Sequence, residues 1–213
     1  MAEIKGSTLN FTQIYQDNSW GDSESRSGHG SNMTQTAHIR AALPSLFTEL
    51  GIQSILDIPC GDFHWMQHVT SQSGANMQYI GGDIVEELIA SNQKAFGGGH
   101  IDFRVLNVVS SDLPRVDLVF VRDCFVHLPL AEVFKALDNI KRSGAKYLLT
   151  TTFPGHPVNN DEFLLGMWRT LNLERPPFGF PSPLKVINER CTEAFLGDSF
   201  TDKSLALWPL EDL

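Results

Sequence analysis

Between residues 51 and 153 short apolar runs alternate with stretches of helical periodicity. Ser54-Ile55-Leu56-Asp57-Ile58 is apolar and halts at the turn residues Pro59-Cys60-Gly61-Asp62. That pattern predicts a buried strand and a turn, with a helix starting over Phe63 to Thr70. Gln78 to Asp83 reads as a second strand. Ile84 to Phe96 reads as a helix, with Glu86 and Glu87 in its first turn, where the helix dipole favours carboxylates, and Gly97-Gly98-Gly99 as its stop. Further strands are predicted over 101–108, 116–121 and 146–153, and a helix over 130–140. Apolar strands alternating with helices call for an α/β fold, with a mostly parallel sheet covered on both faces.

Both flanks differ from this core. Residues 1–36 are polar, rich in Gly and Ser, and carry the apolar anchors Phe11, Ile14, Tyr15 and Trp20. They read as an N-terminal arm before a single domain over 37–213. Thr34 or Thr36 would cap a helix with the stripe Ile39, Leu43, Leu46, Phe47 and Leu50, which Pro44 disturbs. Arg175 to Pro183 holds too many prolines for a helix or central strand, so 154–183 is expected to be a loop-rich insertion. Leu184 to Ile187 and Ser204 to Trp208 are the last predicted strands.

Composition narrows the function. The 213 residues carry 16 Lys and Arg against 25 Asp and Glu, a net charge of −9. This balance disfavours nucleic acid, whose phosphates call for clustered cations. The three cysteines have no C-x-x-C spacing, which fits a reducing compartment, and the expected location is cytoplasmic. No apolar run reaches the roughly 18 residues of a membrane span. His64 and His68 have a zinc-compatible spacing but lack an obvious third ligand, so no metal is expected.

A strand, a glycine turn and a helix form the shape of a nucleotide-cofactor site. Asp83 ends the second strand 22 residues after Gly61, where a carboxylate can accept both ribose hydroxyls of an adenosine. Asn107 and Val108 follow the third strand, where an amide suits the adenine edge. The fourth strand runs into Arg122-Asp123 and on to His127-Leu128-Pro129. Ligands of open α/β sheets bind at the carboxyl ends of strands, so Asp62, Asp83, Asn107, Asp123 and His127 should converge.

These motifs resemble, in order, those of class I S-adenosylmethionine-dependent methyltransferases over about residues 50–153. The resemblance implies a Rossmann-like sheet with an antiparallel C-terminal strand and helices on both faces. It also implies S-adenosyl-L-methionine as cofactor, a small-molecule acceptor, and cofactor contacts from Asp57, Pro59, Cys60, Gly61, Asp62, Asp83, Ile84, Asn107, Val108 and Arg122. Trp20 belongs to an arm that would close over the cofactor's methionine end. Two positions depart from the family pattern. Pro59 and Phe63 replace the outer glycines of the turn, which weighs against a dinucleotide pyrophosphate and an NAD-dependent oxidoreductase. Asn107 stands where an Asp is commoner.

Methyl transfer to a hydroxyl benefits from a base, for which Asp123 and His127 are the candidates. A polar acceptor is expected to meet His156, Asn160, Trp168 and Arg169. The leading expectation is O-methylation of a sugar or secondary metabolite. N-methylation of a small amine or protein side chain, and a non-catalytic binding module, are the alternatives.

Overall fold

A computed structural model describes residues 10–74, 76–163, 168–195 and 198–213. In chain order the elements are α1 (Phe11–Asp17), α2 (Ala37–Glu49), β1 (Ser54–Asp57), α3 (Met66–Thr70), β2 (Gln78–Asp83), α4 (Glu86–Phe96) and β3 (Ile101–Val105). There follow β4 (Leu118–Val121), α5 (Leu130–Arg142), β5 (Tyr147–Thr152), β6 (Lys185–Asn188), β7 (Ala194–Phe195), β8 (Asp198–Ser199) and β9 (Ser204–Pro209). Seven strands form one sheet in the order β3-β2-β1-β4-β5-β9-β6, and β7 and β8 make a separate small hairpin.

Strands β1 to β5 pair in parallel, and β9 runs antiparallel to both β5 and β6. The central strands are buried on both faces, as their continuous apolar runs require. Successive residues of β1 serve opposite layers. Ile55 joins α2, α3 and α4 in one core, and Leu56 joins α5 in the other. The chain reverses its winding direction between β1 and β4, which opens a crevice above their carboxyl ends.

The expected strands all form, several shorter than their apolar runs. The third ends at Val105 and the fourth starts at Leu118. The expected helix over Phe63 to Thr70 is confined to Met66–Thr70, because Phe63 has φ +59° and cannot be helical. Helix α2 runs through Pro44 and buries Ile39, Leu43, Leu46 and Phe47. Thr36 precedes it without capping through its side chain. Its hydroxyl instead donates to the Asn32 carbonyl at 2.7 Å.

The insertion is pinned to the sheet edge. Asn172 donates through its amide to the carbonyls of Pro154 and His156 at 3.0 and 2.9 Å. Phe180 meets Trp208 edge-on at 5.3 Å, and the Trp208 indole N–H donates to Pro181 at 2.7 Å. The proline-rich loop thus closes the bottom of the core beside β9.

Candidate active site

A cavity of about 920 Å³ occupies the crevice. The glycine turn forms its first wall. Cys60 N–H donates to Gly82 O at 2.8 Å, and the Asn92 amide donates to Gly61 O at 2.7 Å. Gly61 has φ +54°, and a Cβ there would lie 2.2 Å from Ser27 Oγ, so a side chain at this position would be strained and would displace the Ser27 hydroxyl. Phe63 adopts the left-handed backbone expected of a glycine. Its ring is buried against Tyr79, Phe103 and Phe96 at 5.0, 5.1 and 5.3 Å.

Two buried acids lie beside the turn. Asp83 accepts from Gly61 N–H at 3.3 Å and Val85 N–H at 3.1 Å. Burial pushes its pKa up against these backbone donors. Asp57 accepts from the Tyr79 hydroxyl at 2.6 Å. Burial pushes it up to about 7, with Asp83 adding to the rise and Tyr79 and Arg122 opposing it. A carboxyl raised in the fold keeps its proton where the unfolded chain has lost it. Its stabilising contribution is therefore whole below pH 4 and is lost as pH rises towards 7. Asp57→Asn, which has no proton to lose, is expected to gain stability relative to wild type across pH 4–7, by up to about 4 kcal/mol, and to level off above. Chemical denaturation at a series of pH values checks this; a flat difference would show that Asp57 is not buried as a neutral acid.

The N-terminal arm is folded over the turn. Asp62 spends its carboxylate on the arm, accepting from Ser25 Oγ at 3.0 Å and Arg26 N–H at 2.8 Å. Asp22 organises the arm from within, accepting from Glu24 N–H, Ser25 N–H, His29 Nδ1–H and Asn32 Nδ2–H. Burial raises its pKa, but these donors outweigh it and bring Asp22 to about 2. Trp20 stacks on His127 at 5.6 Å, with Phe11 edge-on to both rings at 6.2 Å. Sequence reading missed Asp22, although an Asp with Ser three residues on marks an Asx turn.

A buried charge cluster forms the opposite wall. Arg122 holds Glu189 through two nitrogens, Nη2 at 2.6 Å and Nε at 3.2 Å. It also donates to Gly30 O at 2.8 Å and lies 3.3 Å from Asp123 Oδ2. Lys203 donates to the same Asp123 oxygen at 2.6 Å. Burial would raise the Asp123 pKa, but Lys203 and Arg122 overcome it and hold this carboxyl well below the usual range. Glu189 and Lys203 were not anticipated, because 67 and 81 residues of chain separate them from Arg122.

The residues expected to hold the cofactor all line this cavity: Trp20, Asp57, Pro59, Cys60, Gly61 and Asp62 on the turn side, and Asp83, Ile84, Asn107, Val108 and Arg122 across the strand ends. Asn107 spends its Oδ1 on Val109 N–H at 2.8 Å, so its amide nitrogen is what it offers a ligand. Asp123 and His127 line the cavity too.

Of the expected acceptor residues only Trp168 does so, and the other three lie off the cavity. His156 lies in the segment that Asn172 holds at the sheet edge. Asn160 closes an exposed turn by accepting from Glu162 N–H at 3.0 Å. Arg169 is a buried brace, donating to Leu128 O at 2.6 Å and pairing with Asp161 at 3.4 Å. The chain after β5 bends away from the crevice at Pro154, which sequence spacing did not reveal. Of the stretch from Asn160 to Leu171, residues 164–167 lie outside the described residues, and the described ones are not helical. Among the described residues no group of His, Cys, Asp and Glu could hold a metal ion, and no helix is long and apolar enough to cross a membrane.

Residues 55–145 match the family model described as a methyltransferase domain. No curated protein matches the sequence. Among solved structures, the N-methyltransferase NodS from Bradyrhizobium japonicum WM9, crystallised with S-adenosyl-L-homocysteine, is 14% identical. The match covers 92% of this chain and 97% of that one, with a TM-score of 0.58. The methyltransferase domain of bacterial-CtHen1-C is 12% identical, over 84% of this chain and 98% of that one, also with a TM-score of 0.58. Human N-acetylserotonin methyltransferase is 15% identical, with a TM-score of 0.46 over 70% of this chain, which spans 44% of that protein. The methyltransferase-domain match thus runs from β1 to just past α5, and the sheet order and crevice are those of the Rossmann-like fold that this chain shares with the solved structures.

Proposed function

We propose that the protein transfers a methyl group from S-adenosyl-L-methionine to a hydroxyl oxygen of a small molecule, with the N-terminal arm as its lid. The observation that carries this reading is Asp83, a buried carboxylate on the cavity wall next to the Gly61 turn. Its oxygens accept backbone N–H groups of Gly61, Val85 and Ile84 and keep further lone-pair capacity. Two ribose hydroxyls would meet that capacity, and a carboxylate short of donors favours them. Ile84, Leu106 and Val108 supply apolar surface for a base, and Asn107 an amide for its edge. The turn at Pro59-Cys60-Gly61 offers backbone groups to the methionine end, under Ser27 and Gly28 of the arm. The volume is at the upper end of the roughly 300–1,000 Å³ of small-molecule sites, which leaves room for an acceptor beside the cofactor.

Bound S-adenosylmethionine supplies an electrophilic methyl, so the protein's task is to hold and orient the acceptor and to exclude water. The lid does the excluding, through Trp20 on His127 and Gly30 on Arg122. Asp123, kept ionised by two cations, is a weak base. Its role in this reading is to accept a hydrogen bond from the acceptor's hydroxyl, and His127 is the candidate that receives the proton.

The test is calorimetric titration with S-adenosylhomocysteine. Asp83→Ala is expected to lose about 1–3 kcal/mol of binding, roughly five- to 150-fold in Kd. Unchanged affinity would remove Asp83 from the ribose.

A further inference from the structure

We propose that Lys203 selects the methyl acceptor: its ammonium and the Asp123 carboxylate together grip a hydroxyl on a small, neutral, flat ring that lies against Trp168 and Phe200. This inference rests on the methyl-transfer reading and names the substrate class of the same site.

Lys203 and Phe200 belong to one tight turn, in which Lys203 N–H donates to Phe200 O at 2.9 Å. The side chain of Lys203 is 8% exposed. Its Nζ donates to Asp123 Oδ2 at 2.6 Å and lies 3.7 Å from Glu189 Oε2. An ammonium has three N–H donors, and both Lys203 and Asp123 line the cavity. Gly30 packs over them and leaves the room of one Cβ. A Cβ at that position would come to 3.4 Å from Asp123 Oδ2 and 3.5 Å from Lys203 Nζ. Burial works against the Lys203 charge, but Asp123 and Glu189 outweigh it and raise the pKa, so the group stays an ammonium.

A hydroxyl suits this pair on both sides, since its lone pair accepts from Nζ–H while its proton goes to the carboxylate. A protonated amine offers only donors, so it satisfies the carboxylate side, which Glu193 extends, and leaves Nζ–H without an acceptor. The adjoining wall sets the rest of the molecule. Trp168 and Phe200 meet edge to face at 4.7 Å, and Phe153 lies 6.3 Å from Phe200. Val126 and Cys191 complete this apolar cluster. A flat ring gains burial and aromatic contact there. A sugar would place several hydroxyls against surfaces with no partners, at a cost for each.

In the transfer, a lone pair of the acceptor oxygen forms the new C–O bond as the S–CH₃ bond breaks. That bond's electron pair stays on sulfur, giving S-adenosylhomocysteine. The hydroxyl proton leaves along its hydrogen bond to Asp123, which is too weak a base to keep it, and passes on to His127, which lines the same cavity.

The experiment uses the full chain saturated with S-adenosylhomocysteine, whose own binding is measured first. Failure at that stage would sink the methyl-transfer reading, before the acceptor is in question. Phenol, benzylamine and glucose are then titrated by ligand-observed NMR. Phenol is expected to bind at least tenfold more tightly than either of the others. Lys203→Met should abolish the preference for phenol over benzylamine while S-adenosylhomocysteine affinity stays within twofold. If that variant fails to fold, Phe200→Ala, which leaves the ion pairs intact, should weaken phenol at least fivefold and move it towards glucose. Three results would overturn the proposal: benzylamine or glucose equalling phenol on the wild type, no binding of phenol, or phenol binding unmoved by either variant.

Discussion

Arg122→Met is expected to destabilise the protein by about 3–5 kcal/mol, because it strands two carboxylates in the interior. The guanidinium is buried and serves Glu189, Asp123 and the Gly30 carbonyl at once. Its own pKa is raised, since Glu189 and Asp123 outweigh the burial that would lower it. Glu189 has a side chain 1% exposed, so water cannot replace the lost partner. Lys203 remains, but at 3.7 Å from Glu189 and committed to Asp123 at 2.6 Å. Adding Glu189→Leu to Arg122→Met should restore much of the loss, because the worst of the damage is a lone buried charge. Urea unfolding measures both variants. A loss below about 1 kcal/mol for Arg122→Met would show that the cluster is hydrated and its geometry less binding than described. The same variant removes the donor that ties Gly30 to the sheet, so faster amide exchange over residues 27–32 should accompany the loss of stability.

The second large effect is at Phe63. Phe63→Ala is expected to cost about 3–5 kcal/mol, the usual range for emptying an aromatic core position. The side chain is 2% exposed and touches three other aromatic rings. Glycine should behave unusually here. In most cores Gly is worse than Ala, but at φ +59° the Cβ of alanine is strained by roughly 1–2 kcal/mol. Phe63→Gly is therefore expected to match or exceed Phe63→Ala in stability. The reverse ranking in denaturant titrations would show that the backbone relaxes out of the left-handed region once the ring is gone. The comparison also accounts for the broken glycine pattern: ring burial offsets a strained backbone at a place where a glycine would sit without strain.

Legibility followed the range of the interactions. Strand β2 was read to the residue, because its apolar run ends in Gly81-Gly82-Asp83 and Gly81 has to be small. A Cβ on Gly81 would lie 2.6 Å from the Phe103 ring. Helix α5 was placed to within its last turn by its 3.6-residue stripe, which buries Val133, Ala136, Leu137 and Ile140. That the residues expected to hold the cofactor share one cavity was legible for the same reason, since apart from Trp20 they end or closely follow a strand and parallel strands present their carboxyl ends together. The acceptor side was not. His156, Asn160 and Arg169 are close in sequence to the end of β5, but Asn172 and Asn159 hold that segment away from the crevice. Their place is taken by residues brought in by β6, the β7–β8 hairpin and β9.

The sequence alone determined the order of strands and helices, the turn at Gly61 and the acid at Asp83, because periodicity and turn chemistry act over a few residues. Only the tertiary structure decided that Glu189 and Lys203 face Arg122 and Asp123, and that the arm folds back onto both walls. Those pairings depend on where the antiparallel strand β9 slots between β5 and β6. A charge buried by that arrangement has no local signature, since what stabilises it is a partner dozens of residues away.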